Sequence, residues 1–152
     1  MVVTKMDKIL TFIVNEYNEI LLLKGSENDP QFKKSFWYVV TGGCEKEDFN
    51  IEKTVTREVK EETALIANDN LYLNWIFEYE SLGIQCREYV YISFVKKDTV
   101  ILNEENIDYK WCNFEEFINQ VDWFGDKEVL EKVLSLAMKR QIYFKEEKVD
   151  KF

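Results

Sequence analysis

Residues 41–65 read TGGCEKEDFNIEKTVTREVKEETAL, and this stretch decides the fold. It runs from the end of an apolar strand through a Gly-Gly turn and an acidic loop into a helix expected over residues 50–63. Ile51, Val55 and Val59 recur at every fourth position, which predicts a buried face on that helix. The stretch therefore predicts a strand–turn–loop–helix unit that presents acidic side chains beside a glycine turn.

The predicted helix carries acidic side chains along one edge. Glu58 and Glu62 are i, i+4 neighbours, and Glu61 lies three positions after Glu58. Like charges at this spacing oppose helix formation unless a partner neutralises them. Mg²⁺ is a suitable partner, because it takes a few carboxylate oxygens and fills its other sites with water and phosphate. The other interpretation is a solvated acidic face with Arg57 and Lys60 as local partners.

The glycine pair favours the first interpretation. Gly42 and Gly43 stand just before the acidic loop, and their missing side chains let the backbone come close to another group. We therefore include both glycines in the expected substrate-binding set.

The segment resembles the Nudix box, G-x5-E-x7-R-E-U-x-E-E-x-G-U, where U is a bulky aliphatic residue. Residues 57–65, REVKEETAL, match its second half except that Ala64 stands at the glycine. The resemblance implies that Arg57 orients the acidic cluster and that Glu58 and Glu61 are catalytic. It also implies a set of metal ligands, namely Glu58, Glu61 and Glu62.

The first half of the box departs from the pattern. Counted back from Arg57, its glutamate falls on Phe49; counted forward from Gly42, it falls on Asp48, with one extra residue before Arg57. The second register keeps a carboxylate, so we expect Asp48 to be the loop acid and Phe49 to pack beneath the loop. Ala64 replaces a glycine often used at a helix end and is expected to reshape the exit turn.

The resemblance covers most of the chain. Residues 36–42, FWYVVTG, resemble the FWxxVTG opening strand of the Nudix branch that hydrolyses dihydroneopterin triphosphate and dATP. The Glu-x5-Trp spacing in residues 105–111, together with Trp123 and residues 126–127, is similar to the same branch. The implied fold is α+β, a Nudix-like α/β/α sandwich with a mixed β-sheet between helices, and residues 1–152 are expected to form a single domain.

Pyrophosphate cleavage needs neutralised phosphates, an activated water and an oriented leaving group. The chain has no histidine, so we expect the general base to be a carboxylate. Family members often use a glutamate in a late loop, and Glu105 stands at the matching spacing before Trp111, with Glu104 in reserve. Ile107 and Tyr109 are expected to anchor this loop; a solvated loop acid is the alternative for both glutamates.

Cations at strand ends are the expected phosphate contacts. Lys24 and Arg87 occupy such positions, although an exposed charge is an equally good interpretation of each. Trp37 joins them in the expected substrate-binding set. Aromatic side chains that can stack a base, with core packing as the alternative, are Trp37, Tyr38, Trp111 and Trp123.

Apolar patterning predicts the remaining elements. Strands are expected at residues 9–14, 20–23, 36–41, 73–79, 88–95 and 109–112. Asn113 and Asp126 are expected to begin two late helices, the first with Glu116 closing a capping box. Residues 25–35 are expected to be a polar loop, and the charged tail after Phe144 is expected to be loose.

The composition excludes several classes of protein. A formal net charge of −9 disfavours a nucleic acid polymer as partner, because such binding depends on phosphate neutralisation. The absence of histidine removes Ser-His-Asp and Cys-His catalysis and histidine metal sites. Widely spaced Cys44, Cys86 and Cys112 predict neither a disulfide framework nor a zinc pair. Without a signal-peptide core or a spanning apolar run, we expect a cytoplasmic chain that does not contact a membrane.

Together these features predict a metal-dependent hydrolase with Mg²⁺, or alternatively Mn²⁺, as cofactor. Its expected substrate is a small nucleotide with a pyrophosphate linkage, either a nucleoside triphosphate or a related nucleoside-diphosphate-linked compound. A dinucleoside polyphosphate or nucleoside-diphosphate-sugar hydrolase is the alternative enzyme. A non-catalytic Nudix-like nucleotide-binding module is a further alternative, favoured by Phe49 and Ala64. A homodimer is left open.

Overall fold

The computed structural model describes residues 5–26 and 36–151, so most of the expected polar loop over residues 25–35 lies outside the described residues. A short 3-10 helix, Lys46–Asp48, precedes the first α-helix. The elements in chain order are β1 Lys5–Val14, β2 Ile20–Gly25, β3 Trp37–Tyr38, β4 Val40–Gly43, α1 Ile51–Thr63, β5 Ala67–Ser81, β6 Ile84–Val95, β7 Asn106–Cys112, α2 Phe114–Gln120, α3 Lys127–Ala137 and β8 Glu147–Asp150.

The strands of the described chain join in one mixed sheet. Its order is β3-β2-β1-β6-β5-β8, with β4 paired to β1 and β7 paired to β2. Strands β1 and β6 are parallel, from Lys5 opposite Gln85 to Val14 opposite Phe94. Strands β5 and β6 are antiparallel and turn at Gly83.

Helices cover both faces of this sheet. Alternation along β1 places Leu10 and Phe12 in the core formed with α2 and α3. Ile9 and Ile13 belong to a second core formed with α1 on the opposite face. The expected sandwich with a mixed sheet between helices is therefore confirmed. None of the helices in the described ranges is long and apolar enough to cross a membrane.

The predicted strand over residues 36–41 is wrong in one respect, because it is two strands. Strand β3 pairs with β2, placing Leu23 opposite Tyr38, whereas β4 pairs with β1, placing Leu10 opposite Thr41. The chain changes its neighbouring strand at Val39. The break gives β3 and β4 separate partners and brings Tyr38 and Gly42 to one cleft.

The expectation of a loose tail is also wrong. Strand β8 runs parallel to β5, from Trp75 opposite Glu147 to Glu78 opposite Asp150. The N–H of Lys151 then donates to the Glu78 carbonyl at 2.9 Å. The edge of β5 offers unpaired backbone groups, and the tail supplies partners for them.

The helices begin where the sequence predicts. Asn50 caps α1 by accepting a hydrogen bond from the Lys53 N–H at 2.9 Å. Asn113 and Glu116 close the capping box at α2, and Asp126 caps α3. The three cysteines are free.

Ala64 ends α1 in the left-handed conformation, with φ 65° and ψ 6°. Its N–H still donates to the Lys60 carbonyl at 2.8 Å, so the turn forms in spite of the Cβ. A glycine adopts this conformation without the steric penalty of a side chain. The left-handed backbone at residue 64 therefore explains why the Nudix box has a glycine at this position.

We expect Ala64→Gly to stabilise the protein by about 0.5–1 kcal/mol, since the relieved strain exceeds the entropy that glycine adds to the unfolded chain. The measurement is the free energy of unfolding in urea. Lys60→Gly is the matched control: it lies on the exposed side of the same helix and should destabilise by about 1 kcal/mol. Equal losses in both variants would contradict the left-handed assignment.

Candidate active site

Arg57 uses all of its guanidinium N–H groups. Nε and Nη2 donate to the two carboxylate oxygens of Asp48, at 2.7 and 2.9 Å. Nη2 also donates to the Gly43 carbonyl at 2.9 Å. Nη1 donates to Glu58 at 2.9 Å and to Glu61 at 3.1 Å. Arg57 thus ties the acidic loop, the end of β4 and its own helix together.

Asp48 lies beside Arg57, as the second register requires. It is 6% exposed and also accepts hydrogen bonds from the Glu45 N–H and the Thr54 hydroxyl, each at 2.8 Å. The Arg57 guanidinium holds the pKa of Asp48 well below its usual range. Asp48 is therefore a buried, ionised support for Arg57, which is the part expected of a loop acid.

Phe49 does not pack beneath the loop, so that expectation is wrong. Its side chain is 94% exposed and its φ is 70°. The chain reverses here, because the Asn50 N–H bonds back to the Asp48 carbonyl at 2.7 Å. This reversal turns Asp48 inward and Phe49 outward.

Glu58 and Glu62 form a buried pair of carboxyl groups, 9% and 4% exposed. Desolvation by burial is the largest cause that raises the pKa of each, and Glu105 and Glu58 raise that of Glu62 further. One oxygen of Glu62 accepts from the Asn106 amide at 3.2 Å. Its other oxygen is buried and has no hydrogen-bond donor among the described residues. The pair therefore calls for a proton or a cation.

Gly42 lies directly against this pair. A Cβ on Gly42 would overlap the Glu58 carboxyl group. Glycine at this position therefore allows β4 to approach the acidic edge of α1, as the sequence indicated.

Glu61 is placed differently from its two neighbours on the helix. Its side chain is about half exposed, at 52%, and is turned toward Arg57. Within residues 5–26 and 36–151, no group of three acidic or cysteine side chains converges closely enough to hold a metal ion as it stands. Glu58 and Glu62 are thus brought together, whereas Glu61 would have to leave Arg57 to join them.

Glu105 lies immediately before β7, on the Glu62 side of the site. Its carbonyl accepts from the Ser26 N–H at 3.2 Å, and its N–H donates to the Asn103 side chain at 3.1 Å. Ile107 and Tyr109 are 55% and 38% exposed, so the expectation that they anchor this loop is wrong. Hydrogen bonds of the backbone hold it instead.

A cleft of about 870 Å³ opens beside these residues, a size that suits a small-molecule ligand. Its acidic part adjoins the glycine turn and is lined by Gly42, Gly43, Glu62, Glu104 and Glu105. A second part carries both signs of charge and aromatic rings, and is lined by Lys8, Tyr38, Tyr79, Glu88 and Lys151.

Several residues expected to bind substrate do not line this cleft. Lys24 and Trp37 contact each other outside the cleft, with the Lys24 Nζ 5.9 Å from the centre of a Trp37 ring. The Lys110 Nζ lies 4.2 Å from the centre of a Trp37 ring. Arg87 lies with Glu78 and Asp7 on the opposite face of the sheet from Glu88, since side chains alternate along β6. The structure therefore does not bring Lys24, Trp37 and Arg87 to the site.

Of the other aromatic residues expected to stack a base, one lines the cleft and two pack against the core. Tyr38 lines the cleft, where its ring stacks on Trp123 at 6.0 Å. Trp123 itself packs against the core on the α3 side, and Trp111 packs against the core on the α1 side. Core packing is thus the correct interpretation of these two tryptophans.

Sequence reasoning missed Lys8, Glu88 and Lys151. The signal for Lys8 was its parity with Leu10 and Phe12 along β1, which places all three on one face. The parallel pairing of β1 with β6 sets Lys8 opposite Glu88, and spacing along β1 alone does not reveal that neighbour. Nothing in the sequence indicated that Lys151 lines the cleft, because only the pairing of β8 with β5 brings it near Glu88.

A comparison with protein families decides the identity of the chain. The model of the NUDIX domain matches residues 4–133. The chain belongs to the Nudix family. It is an enzyme of the pyrophosphohydrolase class, and Nudix hydrolases generally use divalent metal ions.

Solved Nudix structures share the fold at low sequence identity. The MutT protein from Methanosarcina mazei Go1 is 23% identical, with TM-score 0.70, covering 89% of this chain and 98% of its own. The NUDIX domain of Shewanella oneidensis NrtR, solved with ADP ribose, is 17% identical, with TM-score 0.64 and coverage of 92% and 89%. A C. elegans Ap4A hydrolase is 18% identical, with TM-score 0.61 and coverage of 87% and 98%. No curated protein matches the sequence.

The acidic site of this Nudix chain fits a hard divalent cation. The unpartnered oxygen of Glu62 and the adjoining Glu58 carboxyl offer the oxygen ligands that Mg²⁺ and Mn²⁺ prefer. A cation would also offset the cost of burying two like charges.

We expect Asp48→Asn to lower the free energy of unfolding at neutral pH by about 2 kcal/mol, because it removes a charged acceptor from Arg57. The folded pKa of Asp48 lies below its unfolded value, so its stabilisation is complete at neutral pH. It is lost as the pH falls from about 4 toward the folded pKa. Urea unfolding at pH 7 and pH 2.5 measures this, and the difference between wild type and variant should shrink at the lower pH.

Phe49→Leu is the control for the register, since an exposed ring contributes little to stability. It should leave both stability and activity nearly unchanged, while Asp48→Asn lowers both. The opposite ranking of the two variants would refute the assignment of Asp48 as the loop acid.

Proposed function

We propose that this chain hydrolyses a pyrophosphate linkage in a nucleoside triphosphate or a related nucleoside-diphosphate-linked compound, with Mg²⁺ as cofactor and Mn²⁺ as its substitute. The observation that carries the proposal is the buried Glu58–Glu62 pair, in which Glu62 lines a cleft of small-molecule size and has one oxygen without a hydrogen-bond partner among the described residues. Burying two neighbouring carboxylates is costly unless a cation compensates their charge, and such pairs are often found at functional sites.

The proposed metal ligands are Glu58, Glu61 and Glu62. A divalent cation held by these residues would neutralise charge on the phosphates and help to activate the attacking water. Arg57 keeps Glu58 oriented through its Nη1 bond, and the buried Asp48 keeps Arg57 in place. The half-exposed position of Glu61 leaves it free to exchange Arg57 for a cation.

Glu105 is the proposed general base. It lies close enough to Glu62 to raise the pKa of that group, and its own backbone is held by hydrogen bonds to the Ser26 N–H and the Asn103 side chain. An exposed carboxylate at the rim of the acidic part of the cleft can accept a proton from an attacking water and release it to solvent.

The substrate class rests on the resemblance of residues 36–42 to the branch that acts on dihydroneopterin triphosphate and dATP. The similar structures include a complex with ADP ribose and an Ap4A hydrolase, so nucleoside-diphosphate-sugar and dinucleoside polyphosphate substrates are the alternative. A non-catalytic binding module is less well supported, because Asp48 supplies the carboxylate absent at Phe49, and Ala64 adopts the backbone conformation of a glycine.

We expect hydrolysis to require a divalent cation. EDTA should abolish product release across a panel of dATP, other nucleoside triphosphates, dihydroneopterin triphosphate, ADP ribose and Ap4A, with products identified by chromatography. Restoring Mg²⁺ should restore activity on the accepted substrates. Activity that survives full chelation would disprove the metal mechanism, and binding without hydrolysis under all conditions would favour the binding module.

Within the same assay, Glu62→Gln should reduce kcat by more than about 100-fold, since loss of even outer-shell partners of a metal costs about 10–100-fold. It should also raise the Mg²⁺ concentration needed for half-maximal rate. Glu52→Gln makes the same change on the exposed first turn of α1 and should have little effect.

We expect Glu105→Gln to lower kcat by about 10²–10⁴-fold while leaving the affinity for Mg²⁺ nearly unchanged, as the loss of a general base does. Glu104→Gln, at the neighbouring exposed position, should have a much smaller effect. A near wild-type kcat for Glu105→Gln across the pH range would assign the base to another group.

A further inference from the structure

We infer that Glu88 and Lys151 form a recognition subsite for the ring of the substrate, selecting a heterocycle that presents a carbonyl oxygen beside an N–H and an amino group. Guanine carries this edge, and so does any other 2-amino-4-oxopyrimidine ring, such as that of a pteridine. The inference rests on the proposed function and names the part of the substrate that the cleft distinguishes.

Glu88 is a buried carboxylate in the wall of the cleft. It is 1% exposed, and its oxygens accept from the Tyr79 hydroxyl at 3.0 Å and from the Lys151 ammonium at 3.2 Å. A carboxylate has about four acceptor positions, so these two bonds leave acceptor capacity. The metal mechanism makes no use of this group.

Lys151 reaches Glu88 only through the pairing of β8. Its side chain is 11% exposed, and its Nζ lies 4.9 Å from the centre of the Tyr79 ring and 5.1 Å from that of Phe124. An ammonium group has more N–H donors than its bond to Glu88 uses. The subsite therefore presents a charged acceptor and a charged donor side by side.

Aromatic rings lie near this pair and suit a flat ligand. Phe36 and Tyr38 line the cleft with their ring centres 5.7 Å apart, and Tyr79, whose hydroxyl donates to Glu88, lines it as well. The Tyr38 hydroxyl is buried and has no hydrogen-bond partner among the described residues. A polar heterocycle would bury apolar area here and offer that hydroxyl a partner.

The pattern of charges selects among heterocycles. A carboxylate binds two adjacent donors as a bidentate pair, which is stronger and more directional than a single hydrogen bond. The N–H and amino groups of the guanine edge provide such donors, and the neighbouring carbonyl oxygen suits Lys151. Adenine offers one donor beside an acceptor, and hypoxanthine lacks the amino group, so both forgo one bond to Glu88.

The test measures binding of free nucleosides to the whole wild-type chain by calorimetry, without metal. Guanosine should bind at least about 10-fold more tightly than inosine or adenosine, because each of these loses a hydrogen bond to a charged group. Neopterin is measured in the same way, and the tighter binder of guanosine and neopterin shows whether the subsite prefers a purine or a pteridine ring. Equal affinities for guanosine and inosine would overturn the inference.

Glu88→Gln provides the second test, with circular dichroism as the check on folding. A bidentate acceptor is lost, so the ratio of guanosine to inosine affinity should fall toward one. A general loss of packing would instead weaken both nucleosides equally and leave the ratio as it was, which would contradict the inference. Glu78→Gln is the matched control on the opposite face of the same strand pair, and it should keep the wild-type ratio.

Nucleosides contain no pyrophosphate, so this binding does not depend on hydrolysis. Guanosine selectivity in a chain that hydrolyses nothing would uphold the subsite and refute the proposed function. Hydrolysis of nucleoside triphosphates with no preference between GTP and ITP would uphold the proposed function and refute the subsite.

Discussion

The site depends on the ion-paired hydrogen bonds of Arg57. Its guanidinium joins Asp48 in the loop, the Gly43 carbonyl at the end of β4, and Glu58 and Glu61 on α1. These segments carry negative charge, and without a central cation their carboxylates would repel one another. Because the planar guanidinium directs each bond, Arg57 sets the orientation of the acidic edge as well as its charge balance, which lysine would not do.

The cleft has an uneven distribution of charge that matches a phosphorylated ring compound. Acidic residues surround Glu62, where a cation would mediate contact with phosphates that the protein alone would repel. Away from this cluster, Lys151 pairs with Glu88, and Lys8 and two tyrosine rings line the same part of the cleft. The net charge of −9 is thus compatible with the proposed binding of an anion, because Lys8, Lys151 and Glu62, a proposed ligand of the cation, line one cleft.

The parts of the site that sequence reasoning located correctly are those set by local geometry. Glu58 and Glu62 lie together because they are one helical turn apart, and Asp48 reaches Arg57 across a short loop. Lys24 lies near the end of β2 as predicted, whereas Arg87 lies inside β6, which begins at Ile84. Whether either side chain faces the cleft depends on the face of the sheet it occupies. That face is decided by register with neighbouring strands, which alternation within one strand does not reveal.

The sequence by itself determined the unit from Gly42 to Ala64: the helix, its acidic edge and the glycine turn before it. Each of these depends on residues a few positions apart, whose spacing along a helix is set by covalent geometry. Only the tertiary structure decided the second part of the cleft. Glu88 and Lys151 are 63 residues apart and meet because β8 adds to the edge of β5, a pairing made by backbone groups that every sequence carries.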